Sequence, residues 1–414
     1  MHNLIPAYKY CHDVFDGTHA TPKPQIIGKP LVTSKHILDG KLDIEKAYKI
    51  SLKDYQEINK RSQIHQWDIL FSMIGTIGTL YLEKHPIIEY AIKNIGVFSC
   101  RNEKKARYLY YFLQSEFAKK YIQKQLAGAV QKFLPLGELR KFPVPVYNEN
   151  IYKNISVLKY IDDKIELNNK INYELEKVAK ELYDYWFIQF EFPDKNNRPY
   201  KSNNGKMIYN ETLKRKIPYN WTVDKLKKFC DIKSGYPFSS DNYVSNGIYG
   251  IITIKNVQNG YIDIHTDNYI NSLPSDLPQY CVLEKGDILL SLTGNVGRVG
   301  LIYTDNLLLN QRVAKIVPKS KYLYSYIYFL IKNNHFRSIL EQKSTGTSQK
   351  NLSPIETENI DIIVPDKNTI EEFDRNVKSI IEKIVNNWTE NAFLIDLRDF
   401  LLPMLMNGQI SIKD

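Results

Sequence analysis

Residues 286–297 read GDILLSLTGNVG, and residues 67–78 repeat this pattern as WDILFSMIGTIG. In both runs a short apolar stretch follows an aspartate and passes into a turn with two glycines three positions apart. The offset between the runs, 219 residues, is more than half of the 414-residue chain. A repeat of this length has the size of a whole domain with a connector, so the sequence predicts two copies of one domain.

Further segments recur in the same order and at nearly the same offset. The pairs are LVTSK at 31–35 with IITIK at 251–255, GKLDI at 40–44 with GYIDI at 260–264, and GAVQKFL at 128–134 with GTSQKNL at 346–352. Cys11 also falls opposite Cys230. Because the matches keep their order along the chain, we interpret them as an internal duplication and not as chance similarity.

Each copy is predicted to contain both strands and helices. Short apolar runs bounded by turn residues predict strands at 30–34, 67–72, 92–98 and 142–146 in the first copy and at 250–254, 287–292, 312–317 and 360–364 in the second. Longer periodic runs predict one helix at 104–123 and another at 322–340.

Each copy is followed by a long helical pattern. Apolar residues recur at the three- and four-residue spacing of a coiled-coil seam, at Ile151, Ile155, Leu158, Ile161, Ile165, Leu175, Val178, Leu182 and Tyr185, and at Ile370, Phe373, Val377, Ile380, Ile384, Trp388, Leu394, Leu397 and Leu401. The second pattern is expected to end at Pro403 and Gly408. A helix of about 35 residues spans about 50 Å at 1.5 Å per residue.

Asparagines stand at matched positions in the two helical patterns. Asn168 and Asn172 correspond to Asn387 and Asn391. Two interpretations stay open here. The asparagines lie in the apolar seams and fix their register, or they face solvent on helices of slightly different phase.

The expected fold class is α+β, with two homologous mixed α/β domains separated by two long antiparallel coiled-coil helices and related by a pseudo-twofold internal repeat. The predicted boundaries are 1–148 for the first domain, 149–190 for the first helix, 191–215 for a linker, 216–366 for the second domain and 367–408 for the second helix. The linker prediction depends on the polar run DKNNRPYKSNNGK at 194–206.

The bulk composition favours an acidic partner. The net charge is +10 and the pI is about 9.0, which suits nucleic acid or an anionic membrane surface. The four cysteines lack metal-ligand spacing, and we expect reduced core thiols in a cytoplasmic protein without a bound metal. The sequence shows neither a signal peptide nor an apolar run of 18 residues, so we expect no membrane span.

Catalytic motifs are missing from the sequence. No G-x-x-x-x-G-K-[ST], H-E-x-x-H or G-x-S-x-G is present, and the glycines of GNVGRVG at 294–300 do not have the spacing of a dinucleotide-binding loop. We therefore expect a chain without a catalytic residue or cofactor of its own. His19 has no neighbouring His or Cys, and we expect a hydrogen-bonding role in a loop and not a metal ligand.

The remaining chemistry is that of binding. Glycine-rich turns at strand ends are expected to expose bare backbone N–H groups to phosphate oxygens, with basic and polar side chains beside them for phosphates and base edges. The alternative is that the glycines only shape turns and the charges are solvated. The predicted nucleic-acid contacts are Thr18, His19, Lys60, Arg61, Gly75, Thr76, Gln131, Lys132, Ser234, Tyr236, Gly294, Asn295, Arg298, Thr347, Ser348, Gln349 and Lys350.

These residues resemble the specificity (S) subunit of type I restriction–modification systems. The likeness covers nearly the whole chain and depends on the two GDIL-type runs, on NQRVA at 310–314, on TGTSQKNL at 345–352, and on IPYNW at 217–221 with SGY at 234–236. The first copy departs from the pattern, because Trp67 replaces the first glycine, Thr79 stands opposite Arg298, and the segment Asn94-Ile95-Gly96 stands in place of Asn-Gln-Arg.

The resemblance implies a sequence-specific subunit that binds double-stranded DNA. Each copy would be a target recognition domain that reads one half of a bipartite target, while the helices set the spacer and dock two methyltransferase (M) subunits, with restriction (R) subunits in the full complex. S-adenosylmethionine, ATP and Mg would bind only to those partners. Two other readings stay open: a stand-alone nucleic-acid methyltransferase or nuclease, and a two-headed binding protein for another polymer.

Overall fold

The computed structural model describes residues 4–38, 40–127, 133–146, 149–346, 350–406 and 409–410. The chain forms two compact units. The first unit comprises Met1–Asp163 and Ile395–Asp414, and the second comprises Lys164–Leu394. Each unit contains one copy of the duplicated domain together with one part of each long helix.

The first unit begins with short strands and ends in helices. Its strands are β1 Leu4–Pro6, β2 Asp13–Asp16, β3 Lys29–Thr33, β4 Ile37–Leu38, β5 Lys41–Leu42, β6 Lys49–Ile50, β7 Asp68–Ser72, β8 Leu80–Leu82, β9 Ala91–Lys93, β10 Ile95–Ser99 and β11 Pro143–Pro145. Its helices are α1 Ala7–Tyr10, α2 Leu52–Ser62, α3 Glu103–Leu113, α4 Glu116–Leu126 and α5 Leu136–Lys141, and the long helix α6 Glu149–Tyr183 starts in it.

The second unit repeats this series. Its strands are β12 Met207–Asn210, β13 Arg215–Pro218, β14 Thr222–Lys225, β15 Cys230–Ser234, β16 Tyr249–Ile252, β17 Tyr269–Ile270, β18 Val282–Leu283, β19 Ile288–Ser291, β20 Val299–Leu301, β21 Leu307–Leu309, β22 Val313–Pro318 and β23 Asp361–Val364. Its helices are α7 Tyr324–Lys332, α8 Asn334–Lys343 and α9 Pro354–Glu358, and the long helix α10 Lys367–Met406 starts in it.

The main sheet of each unit has the same topology. An antiparallel four-stranded sheet has the order β2-β10-β7-β8 in the first unit and β15-β22-β19-β20 in the second. A parallel strand pair, β3 with β9 and β16 with β21, lies in a further sheet of each unit. The predicted α+β fold with two homologous domains and two long helices is therefore confirmed.

Two predicted helices are each broken into two. The helix expected at 104–123 is interrupted before Ser115, whose hydroxyl accepts the backbone N–H of Ala118 and caps α4. The helix expected at 322–340 is interrupted at Asn333, which caps α8 in the same way through the N–H of His335. In both cases a polar side chain accepts a backbone N–H group in the first turn of the new helix, where no carbonyl of the helix itself is available.

The strand expected at 92–98 is also two strands, because Asn94 adopts a left-handed backbone conformation with φ of 53°. This break corrects the alignment of the two copies. Strand register places Ile95 opposite Ser72 and, in the second unit, Val313 opposite Ser291. Ile95 and Gly96 therefore lie in β10. Asn94 alone connects β9 to β10, whereas three residues, Asn310-Gln311-Arg312, connect the equivalent strands β21 and β22 in the second copy.

The long helices pair antiparallel within the second unit. Asn168 Nδ2 lies 2.9 Å from Asn391 Oδ1, and Asn387 Nδ2 lies 2.7 Å from Asn172 Oδ1. All four side chains are buried, so the asparagines lie in the seam and do not face solvent.

The seam of α6 beyond Asn172 differs from the predicted one. Ala179 and Tyr183 are buried, whereas Val178 and Tyr185 are exposed, contrary to our assignment. A phase derived from large apolar residues alone did not recognise the alanine as a seam position and left the place of the asparagines open.

The helices also pair antiparallel within the first unit. Arg398 donates a 3.2 Å hydrogen bond to Asp162 Oδ1, and Tyr111 donates a 2.6 Å bond to the other oxygen of the same carboxylate. α10 was expected to end at Pro403 and Gly408. It passes through Pro403 and continues to Met406, and Leu402, Leu405 and Met406 pack into the core of this unit. No helix among the described residues is long and apolar enough to span a membrane.

The predicted linker at 191–215 contains structure of its own. Strand β12 pairs with β13, and the ring of Tyr200 stacks on Phe192, which in turn stacks on the buried Trp221. Asp194 accepts the backbone N–H groups of Asn196 and Arg198 and closes a turn. This segment therefore packs onto the core of the second unit.

Candidate nucleic-acid interface

The tripeptide Ser234-Gly235-Tyr236 leaves the end of β15 and passes close to a neighbouring strand end. A Cβ atom on Gly235 would lie 2.3 Å from the carbonyl oxygen of Leu309, so only glycine fits. Tyr236 bonds to the backbone of Leu309 and of Gln311, and its hydroxyl donates to Asp276 at 2.8 Å, which raises the pKa of Tyr236. The tripeptide therefore fixes the loop that follows β21.

The loop Asn310-Gln311-Arg312 exposes two polar side chains, Gln311 and Arg312. They border an open depression of about 670 Å³. The other lining residues are Ser234, Leu292, Thr293, Asn351, Leu352, Ser353 and Pro354. Except for a leucine pair and a proline, this surface presents hydroxyl, amide and guanidinium groups, which are the groups that read base edges.

The turn at 292–298 forms the next part of this surface. Gly294 and Gly297 have φ values of 73° and 81°, and the hydroxyl of Ser291 donates to the carbonyl of Asn295 at 2.5 Å and accepts the N–H of Arg298 at 3.0 Å. The tip of the turn, Gly294-Asn295, is exposed.

Our expectation that these glycine turns carry bare N–H groups is wrong for several of them. Gly294 N–H donates to Lys350 O at 3.0 Å, and Gly297 N–H donates to Ser291 O. Gly78 N–H donates to Ser72 O in the first copy. These three N–H groups are bonded within the chain and are not available to a phosphate, so side chains are the better candidates for contacts at these turns.

Two predicted contact residues of the second copy differ in availability. The guanidinium of Arg298 donates to Gln258 Oε1 at 3.1 Å and to the carbonyl of Val257 at 3.5 Å, so it is held by its own domain. Lys350 is exposed beside Gly294, and its neighbour Asn351 pairs with Thr293. Thr347, Ser348 and Gln349 lie outside the described residues.

The first copy builds the equivalent surface with different chemistry. Gly17 takes the place of Gly235, and a Cβ on it would lie 2.5 Å from the carbonyl oxygen of Ile92. Thr18 bridges to Lys93 as Tyr236 bridges to Asn310. Gly75 and Thr76 form an exposed turn tip like that of Gly294-Asn295.

A buried carboxylate, Asp16, occupies the strand position that Ser234 has in the second copy. His19 Nε2 lies 3.0 Å from Asp16 Oδ2, and Arg61 lies 3.1 Å from Asp16 Oδ1. His19 Nδ1 also lies 2.8 Å from Asn94 Oδ1. The structure thus brings Thr18, His19 and Arg61 together, and among the described residues it contains no His/Cys/Asp/Glu group suited to a metal ion.

Lys60 does not belong to this cluster. Its ammonium pairs with Glu57 at 2.6 Å on the exposed face of α2. Gln131 and Lys132 lie outside the described residues. The segment directly after them is placed, because Leu134 N–H donates to Met73 O and Phe133 bridges to Ile74. The described chain therefore resumes at Phe133 beside the Gly75 turn, and in the second copy it resumes at Lys350 beside Gly294.

Sequence reasoning missed several polar groups on these surfaces, namely Asp16, Asn94, Thr293, Gln311, Arg312 and Asn351. The signal for two of them was in the phrase NQRVA, which we used only to recognise the family. Asn94 could have been found as an asparagine between two strand patterns, since this residue tolerates the left-handed conformation that such a tight connection requires.

Comparison with known proteins places the chain in a family. The model described as type I restriction modification DNA specificity domain matches residues 22–177 and again 218–391. The chain is 27% identical over 360 residues to the type I restriction enzyme MjaIX specificity subunit of Methanocaldococcus jannaschii, covering 84% of this chain and 78% of that protein. It is 25% identical over 313 residues to the HindI specificity subunit of Haemophilus influenzae, covering 63% and 67%.

A solved structure has the same fold. The S subunit of a type I restriction–modification system from M. genitalium aligns with a TM-score of 0.56 at 15% identity and covers 97% of this chain and 95% of that one. Specificity subunits are the non-catalytic components of these enzymes, whose catalytic activities reside in partner subunits. The chain, with two matches to the family model in its two homologous halves, belongs to the type I restriction modification DNA specificity family.

Proposed function

We propose that each of the two domains reads one half of a bipartite DNA target. The observation that carries this proposal is the duplicated surface, in which a Gly-X strand end, a glycine turn and the end of a Gly-Gln loop lie at equivalent positions of two homologous sheets. The same scaffold with different side chains suits two readers of different sequences.

In the second copy the exposed Gln311 and Arg312 are the side chains best suited to base contacts. Arginine donates two parallel hydrogen bonds to the O6 and N7 atoms of guanine, and glutamine pairs in a similar way with adenine. Lys350 and Asn295 border the same surface and suit phosphate and base contacts respectively. The second domain would therefore favour purines at the positions that face this loop.

In the first copy the surface has both signs of charge. The buried carboxylate of Asp16 holds the exposed side chains of His19 and Arg61, which can donate hydrogen bonds to phosphates and base edges. Thr76 and Asn94 supply further polar groups. We propose that this domain reads a different half-site, in which these side chains donate to base and phosphate acceptors.

The long helices would set the spacer between the half-sites and dock the partners, two methyltransferase subunits with restriction subunits in the full complex. Large apolar side chains face solvent on the helices of each unit, such as Tyr160 and Phe400 in the first and Leu167, Val178 and Phe393 in the second. Exposed apolar groups of this kind suit a protein interface. S-adenosylmethionine, ATP and Mg would bind to the partners in the cytoplasm, and the chain itself would bind none of them.

Selection from a library of randomised DNA duplexes tests this proposal. The chain, alone and with its cognate methyltransferase subunit, is expected to enrich two fixed short sequences separated by a constant unspecified spacer, and its affinity should fall with salt by a log–log slope of about −0.9 per neutralised phosphate. Enrichment of one uninterrupted site, methylation or cleavage by the chain alone, or salt-independent binding would each contradict the proposal.

A change of helix length tests the role of the helices. Insertion of seven residues, about two helical turns, into both α6 and α10 preserves the seam period and should lengthen the selected spacer while both half-sites stay the same. An insertion of the same length into the turn at 194–198 serves as the control and should leave the spacer unchanged. A changed half-site, or an unchanged spacer in the helix variant, would contradict this role.

A further inference from the structure

The second unit contains an open depression of about 580 Å³ beside the turn that leads into β19. We call it the Gly286 depression. Its wall includes the ring of Tyr324 and the aliphatic side chains of Ile381 and Val385 on α10, and Lys378 and Glu382 stand on the same helix at its border. It is separate from the proposed DNA surface, because the two share no lining residue.

The first copy has tryptophan at the equivalent position. Trp67 and Gly286 both precede the aspartate of the duplicated run, both have a left-handed backbone with φ of 69° and 89°, and both donate their N–H across the sheet, to Glu83 and to Ile302. A left-handed conformation is a genuine outlier for a bulky residue, so the side chain must be held there by its packing.

The indole of Trp67 lies against Arg107 of α3, which connects it to the long helix α6. The guanidinium of Arg107 lies 5.3 Å from the centre of the Trp67 ring and pairs with Asp163 of α6 at 3.6 Å. At the repeat offset of 219, Asp163 corresponds to Glu382, which lines the Gly286 depression. An aromatic ring therefore covers in the first copy the place that stays open in the second.

We propose that the Gly286 depression receives an aromatic side chain from the methyltransferase subunit. This inference rests on the proposed function, in which that subunit docks on the long helices. The chemistry of the depression matches an indole or phenol ring, because Tyr324, Ile381 and Val385 provide an aromatic and aliphatic wall and Lys378 provides a cation. The rest of the lining is mostly polar, which suits the N–H of an indole or the hydroxyl of a phenol. Aromatic anchors in such concave sites dominate the affinity of many protein interfaces.

The structure allows the depression to be filled from within. A Cβ atom on Gly286 would meet nothing nearer than the hydroxyl of Tyr324 at 3.6 Å, which is ordinary contact. Trp67 shows that this turn accepts tryptophan in this conformation. Gly286→Trp should therefore copy the arrangement of the first unit and occupy the site, whereas Gly286→Ala imposes the same backbone strain and leaves the site open.

Titration of the purified chain with its cognate methyltransferase subunit tests the inference by calorimetry. Gly286→Trp is expected to weaken the binding of one of the two methyltransferase subunits, the one that docks beside the second unit, by about 30-fold or more relative to Gly286→Ala, the size of effect seen for buried aromatic anchors. Gly286→Phe should give a smaller loss. Binding of Gly286→Trp within about threefold of Gly286→Ala, with the far-UV circular dichroism melt showing both variants folded, would overturn the inference.

Two further readouts separate this inference from the proposed function. If the unsubstituted chain fails to bind the methyltransferase subunit at all, the proposed function fails and not the depression alone. If Gly286→Trp instead loses affinity for duplex DNA in the absence of the partner, or changes the oligomeric state of the chain, the occupant is nucleic acid or a second copy and the inference is overturned.

Discussion

Asn387 donates a hydrogen bond of 2.7 Å to Asn172 Oδ1 across the helix pair, and Asn168 donates one of 2.9 Å to Asn391. The repeat offset of 219 converts Asn168 into Asn387 and Asn391 into Asn172. The duplication therefore exchanges the two bonded pairs, as a twofold axis exchanges the two halves of a homodimer interface. Each position in one bonded pair therefore has an equivalent position in the other pair.

Loss of this pairing should destabilise the second unit. Asn387→Ala removes the donor and leaves the buried Oδ1 of Asn172 unsatisfied, which costs about 1–3 kcal/mol. Asn386→Ala, at the exposed neighbouring position, is the control and should be close to neutral. Urea unfolding followed by tryptophan fluorescence measures both, and equal stability of the two variants would contradict a seam role for Asn387.

Glycine should be required where the chain passes the neighbouring strand end. Gly17→Ala places a Cβ 2.5 Å from the carbonyl oxygen of Ile92, and we expect a loss of about 1–3 kcal/mol from this overpacking. Gly137→Ala, on an exposed helix position of the same unit with nothing within 4 Å, should be neutral or slightly stabilising. Melting temperatures provide the comparison, and a Gly17→Ala melt as high as that of Gly137→Ala would refute the steric argument.

The duplicated aspartates should respond to substitution in opposite directions. Burial raises the pKa of Asp68 from 3.8 to about 6. Because the pKa of Asp68 is higher in the folded than in the unfolded chain, folding favours the protonated carboxyl. The stability that this group provides is therefore complete below pH 3.8 and is lost as the pH rises through 6. Asp68→Asn should therefore stabilise the first unit above pH 6, by up to about 3 kcal/mol for a shift of two pKa units, with the gain declining toward pH 4.

Asp287→Asn is the comparison for this experiment. Burial also raises the pKa of Asp287, but Lys315 lies 2.6 Å from its carboxylate. The substitution leaves a half-buried ammonium without its counter-charge and should destabilise the second unit at pH 7.5. Thermal unfolding of both variants between pH 4 and 8 checks the prediction, and a pH-independent effect of Asp68→Asn would count against it.

Asp16 should weaken the contribution of Arg61 to DNA binding. Asp16→Ser gives the first copy the residue of the second and releases the guanidinium for a phosphate, so the log–log slope of affinity against salt should become steeper by about 0.9. Glu116→Gln releases Lys119 on α4, away from this cluster, and should leave the slope unchanged. Fluorescence anisotropy on a duplex at several salt concentrations measures the slope, and equal slopes would disprove the role of Asp16.

The sequence was sufficient for the architecture because duplication provides two readings of the same fold. The runs at 67–78 and 286–297 predicted equivalent strands and turns, and β7 and β19 begin one or two residues into them. Helix breaks at Ser115 and Asn333 were missed because a capping residue inside an apolar periodic pattern can also be an ordinary surface residue. Whether such a residue caps a new helix or lies on the surface of a continuous one depends on which carbonyl and N–H groups find partners in the folded chain.

The candidate site was less predictable for a physical reason. Thr18, His19 and Arg61 were identified by residue type, but Asp16, the partner of His19 and Arg61, is distant from Arg61 along the chain and is brought to it by the fold. Arg298 was predicted to contact nucleic acid because it is a basic residue in a glycine turn, but its guanidinium is bonded within its own domain. Side-chain availability follows from the fold and not from composition.

Selection of DNA targets by the full chain with a substitution in only one of its two domains tests the central claim most directly. Arg312→Ala in the second copy should relax the preference at one half-site by about 1–3 kcal/mol per lost base contact, while the other half-site and the spacer stay as in the unsubstituted chain. Lys228→Ala, an exposed lysine paired with Asp224, is the control and should change neither half-site. Relaxation of both half-sites together, or of neither, would contradict the account that each copy reads its own half of the target.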